Sequence, residues 1–133
     1  MPARILVIED NPSNLELVRY LLDVHGYPTL TATSGEEGLH QFHSAHPDLV
    51  LCDLRLPIRD GYEVLSEIRK DPARGNTIVI AVTAFSMPGD RAKATAAGFD
   101  GYVPKPIDPT SFVQQIEAFV RPDMRASRPD SDS

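Results

Sequence analysis

The sequence predicts an α/β protein whose five parallel strands form one doubly wound sheet, covered by five helices in a three-layer sandwich. Short apolar segments alternate along the chain with longer segments in which apolar residues recur at helical spacing. The apolar segments are continuous, which is typical of parallel strands buried on both faces of a sheet. The chain has 133 residues, enough for one domain, which we place at residues 1–121.

The predicted strands are apolar or β-branched segments that are followed by polar, charged or turn-forming residues. They are Arg4–Glu9, Thr29–Thr33, Leu49–Asp53, Ile78–Val82 and Gly101–Val103. A helical segment follows every strand, so we expect βα units joined by right-handed crossovers.

Four predicted helices begin at a residue that can cap their first backbone N–H groups, namely Asn11, Ser34, Asp60 and Asp108. The fourth helix in chain order is predicted over Asp90–Ala97, a segment rich in alanine. Glycine or a break at proline marks most predicted ends, at Gly26, His46–Pro47, Asp71–Pro72 and Gly98, whereas the last helix extends to Phe119. Residues 122–133 contain Pro, Ser, Asp and Arg without periodicity, and we expect a disordered C-terminal tail there.

Charge and cysteine content exclude several classes of protein. The formal net charge is -6 and the Lys and Arg residues form no cluster, which argues against nucleic acid as a direct partner. Cys52 is the only cysteine, so no intramolecular disulfide can form. The N-terminal segment has the features of neither a signal peptide nor a membrane span. We therefore expect a cytoplasmic protein without a membrane partner.

Chemically active side chains stand at the carboxyl ends of four predicted strands. Glu9 and Asp10 end the first strand, Asp53 the third, Thr83 the fourth and Lys105 the fifth. In a doubly wound sheet the ligand site lies beyond these ends, so we expect the five side chains to meet. Clustered carboxylates are tolerated where a divalent cation compensates them, and oxygen ligands suit Mg²⁺. With that cation present, a carboxylate can act as nucleophile toward a phosphoryl group.

Four motifs carry a resemblance to a known family. They are Val7–Asn11, Asp53–Pro57 followed by Asp60–Gly61, Val82–Ala84, and Gly101–Pro106. In this order, each at a strand end, they resemble the response-regulator receiver family, and more narrowly its stand-alone members of the DivK type. The resemblance covers residues Arg4 to Val120 and implies the flavodoxin-like, CheY-like version of the predicted fold.

The resemblance also implies roles for individual residues. Asp53 would be the phosphoacceptor, and Mg²⁺ would be held by Asp10, Asp53 and the backbone carbonyl of Arg55, with Glu9 acting through water. The phosphoryl oxygens would contact Thr83, Lys105 and the backbone N–H of Ala84. The switch residues would be Thr83 and Tyr102, and the Lys105–Pro106 peptide bond is expected to be cis.

The implied function is that of a single-domain response regulator in a two-component system or phosphorelay. A histidine kinase or phosphotransfer protein would donate the phosphoryl group from a phosphohistidine in a Mg²⁺-dependent reaction. The signal would leave by phosphorylation-dependent protein contact on the face formed by the fourth helix, fifth strand and fifth helix. We expect a monomer or weak dimer that is a signalling switch, with self-phosphotransfer and self-dephosphorylation as its only chemistry.

Each of these residues also has a simpler structural interpretation. Asp53 could cap a loop, Thr83 could be an ordinary strand residue, Lys105 a solvated lysine and Tyr102 a static half-buried ring. Strand alternation places Cys52 in the core, away from the site. His40 and His43 are spaced for metal binding, but without a third ligand they are expected to be solvated.

Two alternative functions conflict with features of the sequence. A phosphatase of the haloacid-dehalogenase type also uses a strand-end aspartate, but it needs a second aspartate where this chain has Arg55. A nucleotide-binding switch needs a glycine-rich loop after the first strand, which is missing here. An interaction module that works without phosphorylation stays possible. Arg59 stands where the family most often has Met, and the resemblance implies that the residue at position 55, here Arg55, tunes phosphoryl lifetime.

Overall fold

A computed structural model describes residues 2–84 and 88–126 of the chain. The strands are β1 (Ile5–Ile8), β2 (Thr29–Ala32), β3 (Leu49–Asp53), β4 (Ile78–Thr83) and β5 (Gly101–Pro104). The helices are α1 (Pro12–Val24), α2 (Gly35–Ala45), α3 (Gly61–Arg69), α4 (Asp90–Ala97) and α5 (Phe112–Glu117), followed by a 3-10 turn at Pro122–Met124. None of the helices in the described ranges is long and apolar enough to cross a membrane.

The five strands form one parallel sheet in the order β2-β1-β3-β4-β5. The chain moves from β1 outward to β2 and then returns to the other side of β1, so the strand order reverses between β1 and β3. Ile8 pairs with Cys52 in the register of these two strands. The next residues, Glu9 and Asp53, therefore stand side by side at the reversal, where doubly wound sheets place their ligands.

Apolar side chains fill both faces of the sheet, which confirms the predicted three-layer sandwich. One buried cluster joins Val7 and Leu51 of the strands to Phe112 and other residues of α1 and α5. The second joins Ile8 and Cys52 to residues of α2, α3 and α4. Cys52 is fully buried in this second cluster, as strand alternation predicted.

The predicted caps are confirmed for the first three helices. Asn11 accepts from Asn14 N and Ser34 accepts from Glu37 N. Asp60 and Glu63 form a reciprocal capping box at the start of α3. These caps fix the points at which the chain leaves β1, β2 and β3, because they hold the adjoining loops at the helix starts.

The last helix is shorter than predicted. Asp108 was expected to begin it, but α5 begins at Phe112 and ends at Glu117. Asp108 still makes the hydrogen bonds of a helix cap: its carboxylate accepts from Thr110 N, Thr110 Oγ1 and Ser111 Oγ, and its carbonyl accepts from Phe112 N at 2.9 Å. Residues 109–111 after this cap form a turn, so the regular helix begins later than predicted.

The start of the expected tail is ordered. Residues 122–126 were expected to lack structure, but Met124 O accepts a hydrogen bond from Ala3 N at 2.7 Å, and Ala126 is buried. Arg125 Nε donates to the carbonyls of Glu117 and Val120 and so caps the end of α5. Residues 127–133 of the predicted tail lie outside the described part of the chain.

Candidate functional site

Three carboxylates meet at the carboxyl end of the sheet. Glu9 follows β1 and Asp53 ends β3, with 3% and 6% of their surfaces exposed, whereas Asp10 is exposed. One oxygen from each of the three carboxylates lies within 4.8 Å of the other two. Among residues 2–84 and 88–126, no other group of three His, Cys, Asp or Glu side chains lies close enough together to hold a metal ion. The structure thus brings together the acidic residues predicted for the site.

Lys105 bridges the two buried acids. Its Nζ lies 2.6 Å from Glu9 Oε1 and 3.1 Å from Asp53 Oδ2. The lysine follows β5, and its backbone N–H donates to Thr83 O at 2.9 Å, which holds the end of β5 against β4. The Lys105–Pro106 peptide bond is cis, as predicted.

Backbone N–H groups orient the other carboxylate oxygens. Asn11 N donates to Glu9 Oε2 at 3.1 Å, and Arg55 N donates to Asp53 Oδ1 at 3.0 Å. Each buried carboxylate therefore has one oxygen on the lysine and the other on the loop that follows its own strand. This arrangement fixes the direction of both side chains.

Burial and pairing shift the proton affinities of two groups. Burial raises the pKa of Glu9 above 4.5, and the hydrogen bonds from Lys105 and Asn11 offset this only in part. Burial alone lowers the pKa of Lys105, but its contacts with Glu9 and Asp53 outweigh that effect and raise it above 10.5. Lys105 is therefore a cation at neutral pH. Three carboxyl groups lie in the cluster, and Lys105 contacts two of them, so the site has oxygen ligands and more carboxyl groups than its one ammonium can balance. These features fit a hard divalent cation.

Thr83 and Ala84 lie at the neighbouring strand end. Asp53 pairs with Val82 in the register of β3 and β4, so Thr83 stands one residue beyond the phosphoacceptor candidate and is fully buried. Ala84 follows it and is exposed. Their contacts with a phosphoryl group stay predictions. Tyr102 on β5 is half-buried, with the guanidinium of Arg91 5.0 Å from its ring centre, and its movement also stays a prediction.

The loop from β3 to α3 comes close to the backbone of Asp53. A Cβ atom on Gly61 would lie 2.5 Å from Asp53 O, so only glycine fits at this position. Arg59, noted as a difference from the family, has its Nε 2.9 Å from Glu36 Oε1 at the start of α2. This ion pair joins the loop to a neighbouring helix.

Sequence reasoning missed the conformation of Ile58 in the same loop. Its φ is +68° and its side chain is fully exposed. Arg59 N donates to Pro57 O at 2.6 Å, which closes a tight turn around Ile58. A β-branched residue is disfavoured in the left-handed region, so its sequence gave no signal for this turn.

The histidine pair on α2 lies on the surface, as expected. His40 and His43 are exposed, and His43 Nδ1 lies 3.5 Å from Asp71 Oδ2. Neither residue belongs to the group of possible metal ligands found in the described part of the chain.

Comparisons with known proteins show which family this chain belongs to. The family model for the response regulator receiver domain matches residues 5–117. The polar-differentiation response regulator DivK of Brucella ovis is 37% identical over 120 residues, which cover 90% of this chain and 98% of that protein.

Two solved structures are similar across nearly the whole chain. A CheY-like receiver domain protein from Methanospirillum hungatei JF-1 is 28% identical with a TM-score of 0.80, covering 90% of this chain and 94% of that one. The receiver domain of the sensor histidine kinase PA1611 from Pseudomonas aeruginosa PAO1, which holds a magnesium ion in its active-site cleft, is 30% identical with a TM-score of 0.80. That similarity covers 89% of this chain and 97% of that one. The chain therefore belongs to the response regulator receiver domain family of two-component signalling proteins.

Proposed function

We propose that this protein is a single-domain response regulator that accepts a phosphoryl group from a phosphohistidine onto Asp53 in a Mg²⁺-dependent reaction. The observation that carries the proposal is the contact of Asp53 with Lys105, within a carboxylate cluster that includes Glu9 and Asp10. A buried aspartate that only capped a loop would need neither the second acid nor the lysine.

The cluster fits Mg²⁺ because its ligands are oxygen atoms and its negative charge exceeds that of the lysine. Asp10, Asp53 and the Arg55 carbonyl would hold the cation, and Glu9 would act through a water molecule. Bound Mg²⁺ would offset charge on the phosphoryl oxygens during transfer. The similarity to the PA1611 receiver domain supports a magnesium site in this chain, since that domain has a magnesium ion coordinated in its active-site cleft.

Asp53, Arg55 and Lys105 have different roles in the transfer. An oxygen of Asp53 attacks phosphorus as the phosphorus–nitrogen bond of the phosphohistidine breaks, and the leaving imidazole retains the electron pair of that bond. Arg55 N holds Asp53 Oδ1 and so orients the nucleophile. Lys105 is already 3.1 Å from Asp53 Oδ2 and can contact the phosphoryl oxygens as they arrive.

The aspartyl phosphate then carries close to two negative charges where the carboxylate carried one, and these charges lie on the added oxygen atoms. Thr83 and the backbone N–H of Ala84 would contact it, and Tyr102 would move inward as the loop of Thr83 closes. The output face would be formed by α4, β5 and α5. The phosphodonor would be a histidine kinase or phosphotransfer protein, and the cytoplasmic location stays a prediction from the sequence.

Acetyl phosphate tests the proposal without a protein donor. The wild-type chain with Mg²⁺ and acetyl phosphate should gain the mass of one phosphoryl group, and chelation of Mg²⁺ should prevent the gain. Asp53→Asn should show no gain, whereas Asp23→Asn, which changes an exposed aspartate on α1, should behave as wild type. A wild-type chain that gains no mass from any small phosphodonor would favour an interaction module that works without phosphorylation.

A further inference from the structure

Helix α4 is held unevenly at its two ends. Its C-terminal end is fixed, because Arg69 Nη2 donates to Gly98 O at 2.8 Å and Phe99 is buried. Its N-cap is Gly89, which has no side chain to accept from the first turn, and within the helix only Ala94 is buried. The N-terminal half of α4 therefore depends on surface contacts for its position.

Two of those contacts are cation–π pairs. The guanidinium carbon of Arg91 lies 5.0 Å from the ring centre of Tyr102, and Lys93 Nζ lies 5.0 Å from that of Tyr62. Tyr62 also packs edge-to-face against the buried ring of Phe99, with ring centres 5.6 Å apart. The partner of Lys93 is thus fixed by a second contact to the core.

Tyr102 occupies a different position, beside the strand that leads to the candidate site. It pairs with Ala81 in the register of β4 and β5. Thr83 is two residues after Ala81, so strand alternation places it on the same face of the sheet as Tyr102. Arg91 and Tyr102 line a surface cavity between α4 and α5, whereas Thr83 is fully buried and does not line it. A movement of Tyr102 toward Thr83 would therefore carry its ring away from the Arg91 guanidinium.

We propose that Arg91 regulates the Asp53 site by holding the ring of Tyr102 against α4, which favours the conformation without a phosphoryl group. The inference rests on the proposed function, since it assigns a regulator to the proposed phosphoacceptor. An exposed cation–π pair changes an equilibrium by about two- to fivefold. A ligand that binds only when the Tyr102 ring has moved toward Thr83 should show the same change in its apparent affinity.

The sign of the effect separates this role from simple attraction of anions. Loss of a positive charge near an anion site weakens anion binding or leaves it unchanged. Loss of the Arg91 contact should instead strengthen binding, because the ring of Tyr102 becomes easier to move. Lys93 provides a matched control, since it lies on the same helix, carries the same charge and contacts the fixed ring of Tyr62.

Beryllofluoride, a phosphoryl mimic, is the probe, and ¹⁹F NMR measures its binding to the full chain in the presence of Mg²⁺. Arg91→Ala should bind it about two- to fivefold more tightly than the wild type, whereas Lys93→Ala should not bind it more tightly. In the background of Tyr102→Leu, addition of Arg91→Ala should cause no further increase, because the ring that Arg91 contacts is gone. Circular dichroism on each variant confirms that it is folded.

The outcomes separate the inference from the proposed function. Wild-type binding with unchanged or weaker binding by Arg91→Ala overturns the role of Arg91 and leaves the proposed function standing. An equal gain from Lys93→Ala, or a gain from Arg91→Ala that persists in Tyr102→Leu, also overturns it. A folded wild-type chain that does not bind beryllofluoride with Mg²⁺ overturns both.

Discussion

At the scale of single residues, Lys105 controls the charge of the candidate site. It contacts both buried acids, and its ammonium is the cation that the structure places between them. Its loss would leave two carboxylates buried without a counter-charge, which costs more than the hydrogen bonds alone contribute. Lys105 thus stabilises the fold in the absence of metal as well as serving the proposed chemistry.

The substitution Lys105→Met should therefore lower the free energy of unfolding by about 1–3 kcal/mol near neutral pH in Mg²⁺-free buffer. The contacts raise the pKa of the folded lysine above 10.5, its unfolded value. Its stabilisation is thus complete below pH 10.5 and is lost as pH rises through the folded pKa. Urea denaturation of both proteins across this range measures the difference. A difference that grew with alkaline pH would contradict this account.

The backbone conformation of Ile58 lowers the free energy of unfolding. Its left-handed conformation costs about 1–2 kcal/mol for an L-residue, and full exposure means that its side chain recovers nothing by burial. Ile58→Gly should raise the free energy of unfolding by about 0.5–1 kcal/mol, since glycine adopts this φ freely but loses more backbone entropy. Ile58→Ala retains the Cβ atom and serves as the control. Equal stability of the two variants in thermal unfolding would show that the turn is not strained.

At the scale of elements, Arg69 joins three segments that the sheet alone does not connect. Its Nη1 donates to the carbonyls of Gly75 and Thr77, and its Nη2 donates to Gly98 O and Asp100 Oδ2. The guanidinium at the end of α3 thereby fixes the approach to β4 and the exit from α4. These contacts position the fixed end of the helix on the proposed output face.

Arg69→Met should lower the free energy of unfolding by about 2–3 kcal/mol, because several carbonyls lose a charged donor together. Arg19→Met is the matched control, since the pairs that Arg19 forms with Glu16 and Asp23 on α1 are exposed. This variant should lower the free energy of unfolding by about 0–1 kcal/mol. Chemical denaturation of both variants measures the difference. Similar losses in the two would mean that the Arg69 network adds little to the fold.

At the scale of the whole molecule, Mg²⁺ binding and folding should be coupled. A ligand that binds only the folded chain stabilises it by about 2.7 kcal/mol at a hundred times its dissociation constant. The midpoint of thermal unfolding should rise with added Mg²⁺, and Asp10→Asn should abolish the rise because it removes a proposed ligand. Asp23→Asn and a sodium salt of equal ionic strength are the controls. An equal rise for wild type and Asp10→Asn would place the cation elsewhere.

Most of the fold could be predicted because its determinants are local. Continuous apolar segments such as Leu49–Asp53 identify buried parallel strands, and capping residues such as Ser34 mark the helix starts. The convergence of Glu9 and Asp53 follows from the rule for strand ends. The exact residue at which a helix begins could not be predicted, because Asp108 can cap a turn as readily as a helix.

The features that sequence reasoning missed depend on contacts between distant parts of the chain. Arg69 binds backbone carbonyls, which have the same chemistry at every residue and so leave no sequence pattern. Met124 lies in a single 3-10 turn and Ala126 is buried just after it, and this segment is too short to show a periodic pattern of apolar residues. The conformation of Ile58 contradicts its residue preference, and only the surrounding loop imposes it.

Chemical trapping of the acyl phosphate shows whether Asp53 itself forms the bond to phosphorus. After reaction with acetyl phosphate and Mg²⁺, borohydride reduces an acyl phosphate to an alcohol, which peptide mass spectrometry can locate. We predict that the reduced residue is Asp53 and that omission of Mg²⁺ prevents its formation. Reduction at Glu9, Asp10 or another carboxylate, with Asp53 intact, would contradict the account.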